Sequence, residues 1–213
     1  MGKKIPYYLG FLLGLFTSSL LLFIPFIFIW QLGVFNMGKP VIYLYPTEPM
    51  DVSVKLITDG KITVSDPPYA GGWRVSATSS GKIDGKYDYL FYEADVGREA
   101  DLSKGWIVER ESIGEWFDTM LPEFGLNAKE KKDFMDYWMV NLPKSPYYKI
   151  VILSNEDLDK MVKLDVSPKP ETIIRVNLYI KPLKEPIYFK APELVKKQRR
   201  GFTVVEWGVI VDD

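Results

Sequence analysis

The chain has 213 residues with 27 basic and 28 acidic side chains, and it contains neither cysteine nor histidine. These absences exclude disulfides, thiol nucleophiles, iron–sulfur clusters, a Ser-His-Asp triad and an imidazole zinc site. Calcium could bind at Asp84 and Asp88 or at Asp157 and Asp159, but the chain has no EF-hand spacing, so we expect no metal and no cofactor. Without Lys3 and Lys4 the basic residues number 25 against 28 acidic ones, a net charge of −3. A nucleic-acid partner, which requires a basic excess, is therefore not expected.

The first predicted element is a single membrane-spanning helix. Residues 5–38 carry no charged side chain, and the most apolar part of this run ends at Trp30. A spanning helix needs roughly 20 apolar residues, whereas the core of a cleaved signal peptide has roughly 7–15. Residues 1–38 are therefore predicted to be a cytoplasmic tip and an uncleaved signal anchor. The two lysines before the helix place the N-terminus in the cytoplasm, with residues 39–213 as an extracytoplasmic domain in the cell envelope.

The first half of this domain has the period-two alternation of β-strands. Val52, Val54 and Leu56 show it clearly. The tight turn residues Asp59 and Gly60 predict a hairpin between the second and third of these strands. The predicted strands cover residues 39–46, 51–57, 61–65, 73–78 and 87–96.

The middle of the domain changes to the three-and-four spacing of helices. Ser112 and Glu115 predict a capping box at the start of the first helix, and Gly125 marks its end. Pro122 is expected to break its last turn, and a second helix is expected to open at Asn127. The apolar face of the first helix is formed by Ile113, Trp116, Phe117, Met120, Leu121 and Phe124.

The last third predicts strands over 148–153, 172–180 and 202–211, with a short helix capped by Ser154. The fold class is therefore α+β: an antiparallel β-sandwich-like domain with an inserted helical hairpin, preceded by one N-terminal transmembrane helix.

The chain contains three long motifs. They are Lys39-Pro40-Val41-Ile42-Tyr43-Leu44-Tyr45-Pro46, Pro168-Lys169-Pro170-Glu171-Thr172-Ile173-Ile174-Arg175-Val176 and Gly201-Phe202-Thr203-Val204-Val205-Glu206-Trp207-Gly208. Together they resemble an uncharacterised family of bacterial exported, membrane-tethered proteins. Many members of this family carry a lipoprotein-type cysteine just before the first motif, where this chain has Met37 and Gly38 after the predicted membrane helix. Both devices tether a domain to a membrane, but the resemblance implies no activity, substrate or catalytic residue.

Carboxylates are the candidate catalytic groups, because a glycosidase needs only two Asp or Glu residues. Glu93 and Asp95 share one face of a predicted strand, and Glu206 lies on the last strand. Trp73 and Trp106 are candidate platforms on which sugar rings stack. These residues predict a hydrolase that acts on cell-envelope glycan.

The leading interpretation instead makes Glu206 structural, as a buried carboxylate paired with Arg175, whose strand neighbours are apolar. Under this interpretation the domain is a binding module, with Arg175 as a binding candidate, and the hydrolase is the alternative. The partner of the binding module is then a protein of a membrane complex, to which it is an accessory subunit, or an envelope polymer. The basic run over residues 190–200 is either a contact for lipid headgroups or an anionic polymer, or a solvated loop.

Overall fold

The structure is a computed structural model that describes residues 35–195 and 197–212. The predicted transmembrane segment in residues 1–34 lies outside the described residues. Within the described part of the chain, no helix is both long and apolar enough to cross a membrane.

The described residues form an α+β domain. One helical hairpin is inserted in the chain between strands, as predicted. Helices α1 and α2 form this hairpin between two strands of the same sheet. The elements in chain order are β1 Phe35–Tyr45, β2 Met50–Ile57, β3 Lys61–Asp66, β4 Trp73–Ala77, β5 Leu90–Val96, β6 Trp106–Glu109, α1 Ile113–Phe124, α2 Ala128–Asn141, β7 Tyr147–Ile152, α3 Asn155–Met161, β8 Lys163–Ser167, β9 Thr172–Leu183 and β10 Thr203–Val211.

The strands form two mostly antiparallel sheets. A seven-stranded sheet has the order β3-β5-β1-β10-β9-β7-β6, and a three-stranded sheet has the order β4-β2-β8. One pair, β9 with β10, is parallel. A parallel pair needs a connection that returns along the sheet, and the described residues of this connection, 184–195 and 197–202, have no regular secondary structure.

The predicted hairpin at Asp59 and Gly60 is wrong, because β2 and β3 belong to different sheets. β2 pairs with β4 and β8, whereas β3 pairs with β5. The turn between them instead carries the chain from one sheet to the other. Its geometry is held by Thr58, whose hydroxyl donates to the Met161 carbonyl at 2.7 Å and accepts from the Gly60 N–H at 2.9 Å. Pairing with distant strands therefore overrides the local turn signal.

The seven-stranded sheet is covered on both faces. One face packs against the three-stranded sheet through a core that includes Leu44, Val54 and Tyr92. The other face packs against α1 and α2 through a core that includes Phe117, Phe134 and Trp207. As a result, every residue of β10 from Thr203 to Ile210 is buried, and its polar side chains need partners inside the protein.

β1 extends four residues before the predicted boundary at residue 39. Its first described residue, Phe35, lies opposite Val96 of β5. Phe35 and Met37 are buried in the core between the sheets. The end of the uncharged run therefore belongs to the folded domain, because these apolar side chains fill the first positions of a central strand.

The helix boundaries confirm part of the sequence prediction. Asn127 and Glu130 form the reciprocal capping box of α2, and Gly125 ends α1 with a left-handed φ of 108°. Ser112, in contrast, makes no side-chain cap, because it has helical dihedrals at the end of a 3-10 turn. Pro122 does not break α1, which continues through it to its last residue. The strands β6 and β8 were not predicted.

The two cap positions give a matched test of helix stability. Asn127→Ala removes the side-chain oxygen that accepts from the Glu130 N–H, so we expect a loss of about 1 kcal/mol in the free energy of unfolding. Ser112→Ala should change it by less than about 0.5 kcal/mol, because Ser112 caps nothing. Urea unfolding of the detergent-solubilised protein measures both, and equal losses would contradict the assignment.

Asp212 follows β10 and links it to β9 and to the segment after β5, at one end of the seven-stranded sheet. Its carboxylate accepts from Lys181 at 2.8 Å, from Arg98 at 2.7 Å and from the Tyr179 hydroxyl. Burial opposes its ionisation, but the hydrogen bonds from Lys181 and Tyr179 outweigh that effect, so the pKa of Asp212 is lowered.

A lowered pKa in the folded state gives stability that is present above the unfolded pKa and is lost as the pH falls through the folded one. Asp212→Asn should therefore reduce the free energy of unfolding at pH 7 by about 1 kcal/mol, a small value because Lys181 and Arg98 are half exposed. The difference between the two proteins should shrink as the pH falls below about 4, the ordinary pKa of an aspartate. A difference that stays constant on acidification would show that the carboxylate charge is not the cause.

Candidate functional site

The most buried polar group of the predicted site residues is the carboxylate of Glu206, which has no solvent exposure. It accepts from the Arg175 Nε at 2.6 Å, the Tyr92 hydroxyl at 2.7 Å and the Asn177 amide at 2.9 Å. These four side chains lie between the two sheets. A buried carboxylate with three donors is a satisfied structural anion rather than a group poised for proton transfer.

Arg175 continues this network to the surface. Its Nη1 donates to Asp159 at 2.8 Å and its Nη2 donates to the Val162 carbonyl at 2.8 Å. Burial opposes the charge of Arg175, but the neighbouring Glu206 outweighs it and raises the pKa. Burial and the same carboxylate raise the pKa of Tyr92 well above its usual range, so Tyr92 remains a hydrogen-bond donor.

The parallel register of β9 and β10 places Arg175 directly opposite Glu206. The predicted pairing of Glu206 with Arg175 is confirmed. It removes Glu206 from reach of any substrate. Arg175, likewise, has all its guanidinium nitrogens engaged inside the protein.

Glu93 and Asp95 do not join Glu206 in one site. They alternate along β5 with Tyr92, which faces Glu206, so their side chains point to the opposite face of the sheet. Asp95 accepts from the Asn36 amide at 3.4 Å. The seven-stranded sheet thus separates the candidate carboxylates into two sets.

Both candidate stacking residues, Trp73 and Trp106, already pack against other parts of the protein. Trp73 is 3% exposed, and its indole N–H donates to the Pro67 carbonyl at 2.8 Å. Trp106 is partly buried, with Trp116 edge-on at 5.4 Å and Phe124 tilted at 5.7 Å between ring centroids. Trp73 therefore offers no open ring face to a sugar, and Trp106 already packs against two rings.

The basic run over residues 190–200 is partly structural. Arg199 forms an ion pair with Glu130, a carboxylate that has no solvent exposure. Partial burial and the nearby Arg175 lower the pKa of Lys197. Lys196 lies outside the described residues. Arg199 neutralises the buried carboxylate of Glu130, so the basic run is not a uniform basic surface.

A polar cleft of about 570 Å³ opens on the outer face of the three-stranded sheet. Its floor consists of outward-facing strand residues, and the loop before β4 forms one wall. The charged and hydroxyl side chains that line it are Ser53, Lys55, Arg74, Asp165 and Ser167.

This cleft presents charges without intramolecular partners. Among the described residues, Lys55, Arg74 and Asp165 have no ion-pair partner within 4.0 Å. Lys55 stands opposite Asp165 across β2 and β8, and Ser53 stands opposite Arg74 across β2 and β4. The arrangement places two cations and one anion, together with hydroxyl groups, on a single concave surface.

The wall of the cleft has a defined shape. Tyr69 fixes its base, because the phenol accepts from the Leu56 N–H at 2.9 Å and donates to the Leu56 carbonyl at 3.1 Å. Gly71 has a positive φ of 80°, and a β-carbon at this position would meet no atom within 4 Å. The backbone is therefore open to close approach by a ligand.

The sequence does not predict this cleft, because its pattern does not indicate β8 and its turn residues favour a hairpin of β2 with β3. The available signal was the polar half of the alternation in Asp51, Ser53 and Lys55, which indicates an outward face. That signal identifies a solvated face but not a cleft, which depends on the neighbouring strands.

No protein-family model matches the chain, and no match was found among the curated proteins or the solved structures. The resemblance of the three motifs to a family of exported, membrane-tethered proteins therefore stays a prediction.

The buried network gives a direct test of the structural assignment of Glu206. Arg175→Met leaves the Glu206 carboxylate buried without its cation, so we expect a loss of about 3–5 kcal/mol in the free energy of unfolding.

Adding Glu206→Gln to this variant should recover at least about 1 kcal/mol, because the neutral amide removes the unpaired charge. Urea unfolding of the detergent-solubilised protein measures both variants. A loss below about 1 kcal/mol for Arg175→Met alone would contradict a structural role for the pair.

Proposed function

We propose that this protein is a membrane-tethered, extracytoplasmic binding domain whose partner occupies the polar cleft on the three-stranded sheet. The single observation that carries the proposal is the set of unpaired charges of Lys55, Arg74 and Asp165 on one concave surface. Charged side chains on a folded surface are common, but a cleft that holds both signs fits a complementary charged ligand.

The mixed charge of the cleft favours a protein segment as the ligand. A uniformly anionic envelope polymer is attracted by Lys55 and Arg74 but repelled by Asp165. A neutral glycan gains most from an open aromatic ring, and the tryptophan nearest the cleft, Trp73, turns its ring into the core. A peptide segment supplies both signs and also hydrogen bonds to the backbone around Gly71.

The tether follows from the uncharged run before Trp30, which is long enough for a spanning helix. The positive-inside tendency supports an N-terminus in the cytoplasm and a domain outside the cell membrane. In this arrangement the domain serves as an accessory subunit that recruits or orients a partner in the envelope.

Gentle extraction from native membranes, followed by sizing and mass spectrometry, tests the proposal. We expect the wild type to co-migrate with a fixed set of proteins at constant stoichiometry. Arg74→Glu reverses one exposed cleft charge and should lower recovery of these proteins by about tenfold or more.

Lys132→Glu is the matched control. Its side chain is 71% exposed on α2, across the seven-stranded sheet from the cleft, so recovery of the partners should not change. A wild type that migrates alone, or an Arg74→Glu variant that retains every partner, would overturn the proposal.

A further inference from the structure

One end of the domain is defined by the point at which the chain enters it, and we call it the entry end. Phe35, the first residue of β1, stands opposite Val96 at the end of β5. Met37 stands opposite Ile210 near the end of β10, and Val211 stands opposite Ile180 of β9. The entry end is therefore where β5, β9 and β10 finish.

Two further segments reach the entry end. The chain after α2 is tied to the end of β9, because the Ser145 hydroxyl donates to the Leu183 carbonyl at 2.7 Å. The turn after Ile57 leads directly into Lys61, which stands opposite Asp95 beside the last residue of β5. The C-terminal end of α2 and the end of β2 therefore lie at the same end as Phe35.

Exposed apolar side chains concentrate at the entry end. Of the eight large apolar side chains that are exposed in the described part of the chain, five lie there. Single exposed apolar residues are normal on a soluble domain, but a concentration of them at one end marks a contact surface. The five, with their exposed fractions, are Ile57 51%, Met139 44%, Val140 81%, Ile187 49% and Tyr188 96%.

Exposed charges of both signs lie at the entry end, and Glu185 follows Lys184 directly. Lys144 and Lys184 are exposed, and within the described residues neither has an ion-pair partner. Lys184 and Tyr188 belong to the same short loop after β9. Tyrosine beside lysine is typical of the membrane interface, where the ring lies among the headgroups and the amine reaches water or phosphate.

The length of chain before Phe35 identifies the occupant of this surface. Only four residues separate Trp30, the end of the apolar run, from Phe35. Even fully extended, that connection spans at most about 17 Å. A run that crosses the bilayer therefore holds the entry end close to the lipid surface.

We propose that the entry end is a membrane-docking surface, and that its occupant is the surface of the bilayer in which the N-terminal segment is anchored. This inference rests on the tether in the proposed function. Docking sets the orientation of the domain, because Tyr188 and Val140, which belong to two different segments of the entry end, both contact lipid. The polar cleft, halfway along β2, then opens sideways towards neighbouring proteins.

The cysteine-free chain allows a direct test with single labels. The full chain is reconstituted in phosphatidylcholine vesicles with about 25% phosphatidylglycerol. Tyr188→Cys and Val140→Cys each carry an environment-sensitive fluorophore, and lipids with a spin label at the headgroup act as quenchers. We expect quenching at both positions at least about twofold stronger than at the control position.

Val195→Cys is the matched control. Val195 is 87% exposed on the same β9–β10 connection, but it lies beside Phe124 at the far end of α1. Quenching at positions 188 and 140 that is no stronger than at 195 would overturn docking.

Flotation of the vesicles after an alkaline carbonate wash separates docking from the tether. A chain that floats but shows no preferential quenching is tethered without docking. A chain that the wash releases has no tether, which overturns both the proposed function and the docking that rests on it.

Discussion

The carboxylate of Glu206 is the constraint on which the middle of this domain depends. It lies on β10, a strand covered on both faces, so water cannot solvate it. Leaving it unpaired would cost several kcal/mol. Arg175, Asn177 and Tyr92 therefore have to converge on it, and this convergence fixes the parallel register of β9 and β10 and the position of β5 relative to them.

The parallel pair, in turn, determines the long connection between its strands. The first part of this connection is held where the Gly105 N–H donates to the Lys190 carbonyl at 2.9 Å. Farther along, Arg199 pairs with Glu130, which also caps α2. Two buried carboxylates, each neutralised by an arginine, thus link the sheet, the helical hairpin and the connection. The same connection brings Ile187 and Tyr188 to the entry end.

Because both buried ion pairs are structural, the proposed binding surfaces lie on the outside of the domain. The cleft around Lys55, Arg74 and Asp165 and the apolar entry end use different elements and point in different directions. In the two proposals, the cleft receives a partner and the entry end meets a lipid bilayer.

Sequence alone determined the features that depend on local pattern. The absent chemistries, the α+β class, the helical hairpin, the Asn127 cap and the pairing of Glu206 with Arg175 all follow from composition, periodicity and the cost of an unpaired charge. Only the tertiary structure decided which strands pair. It separated β2 from β3, made β9 and β10 parallel, and so created the cleft and the entry end. The physical reason is that alternation reports which face of a strand is buried, whereas strand pairing is set by contacts between residues far apart in the chain.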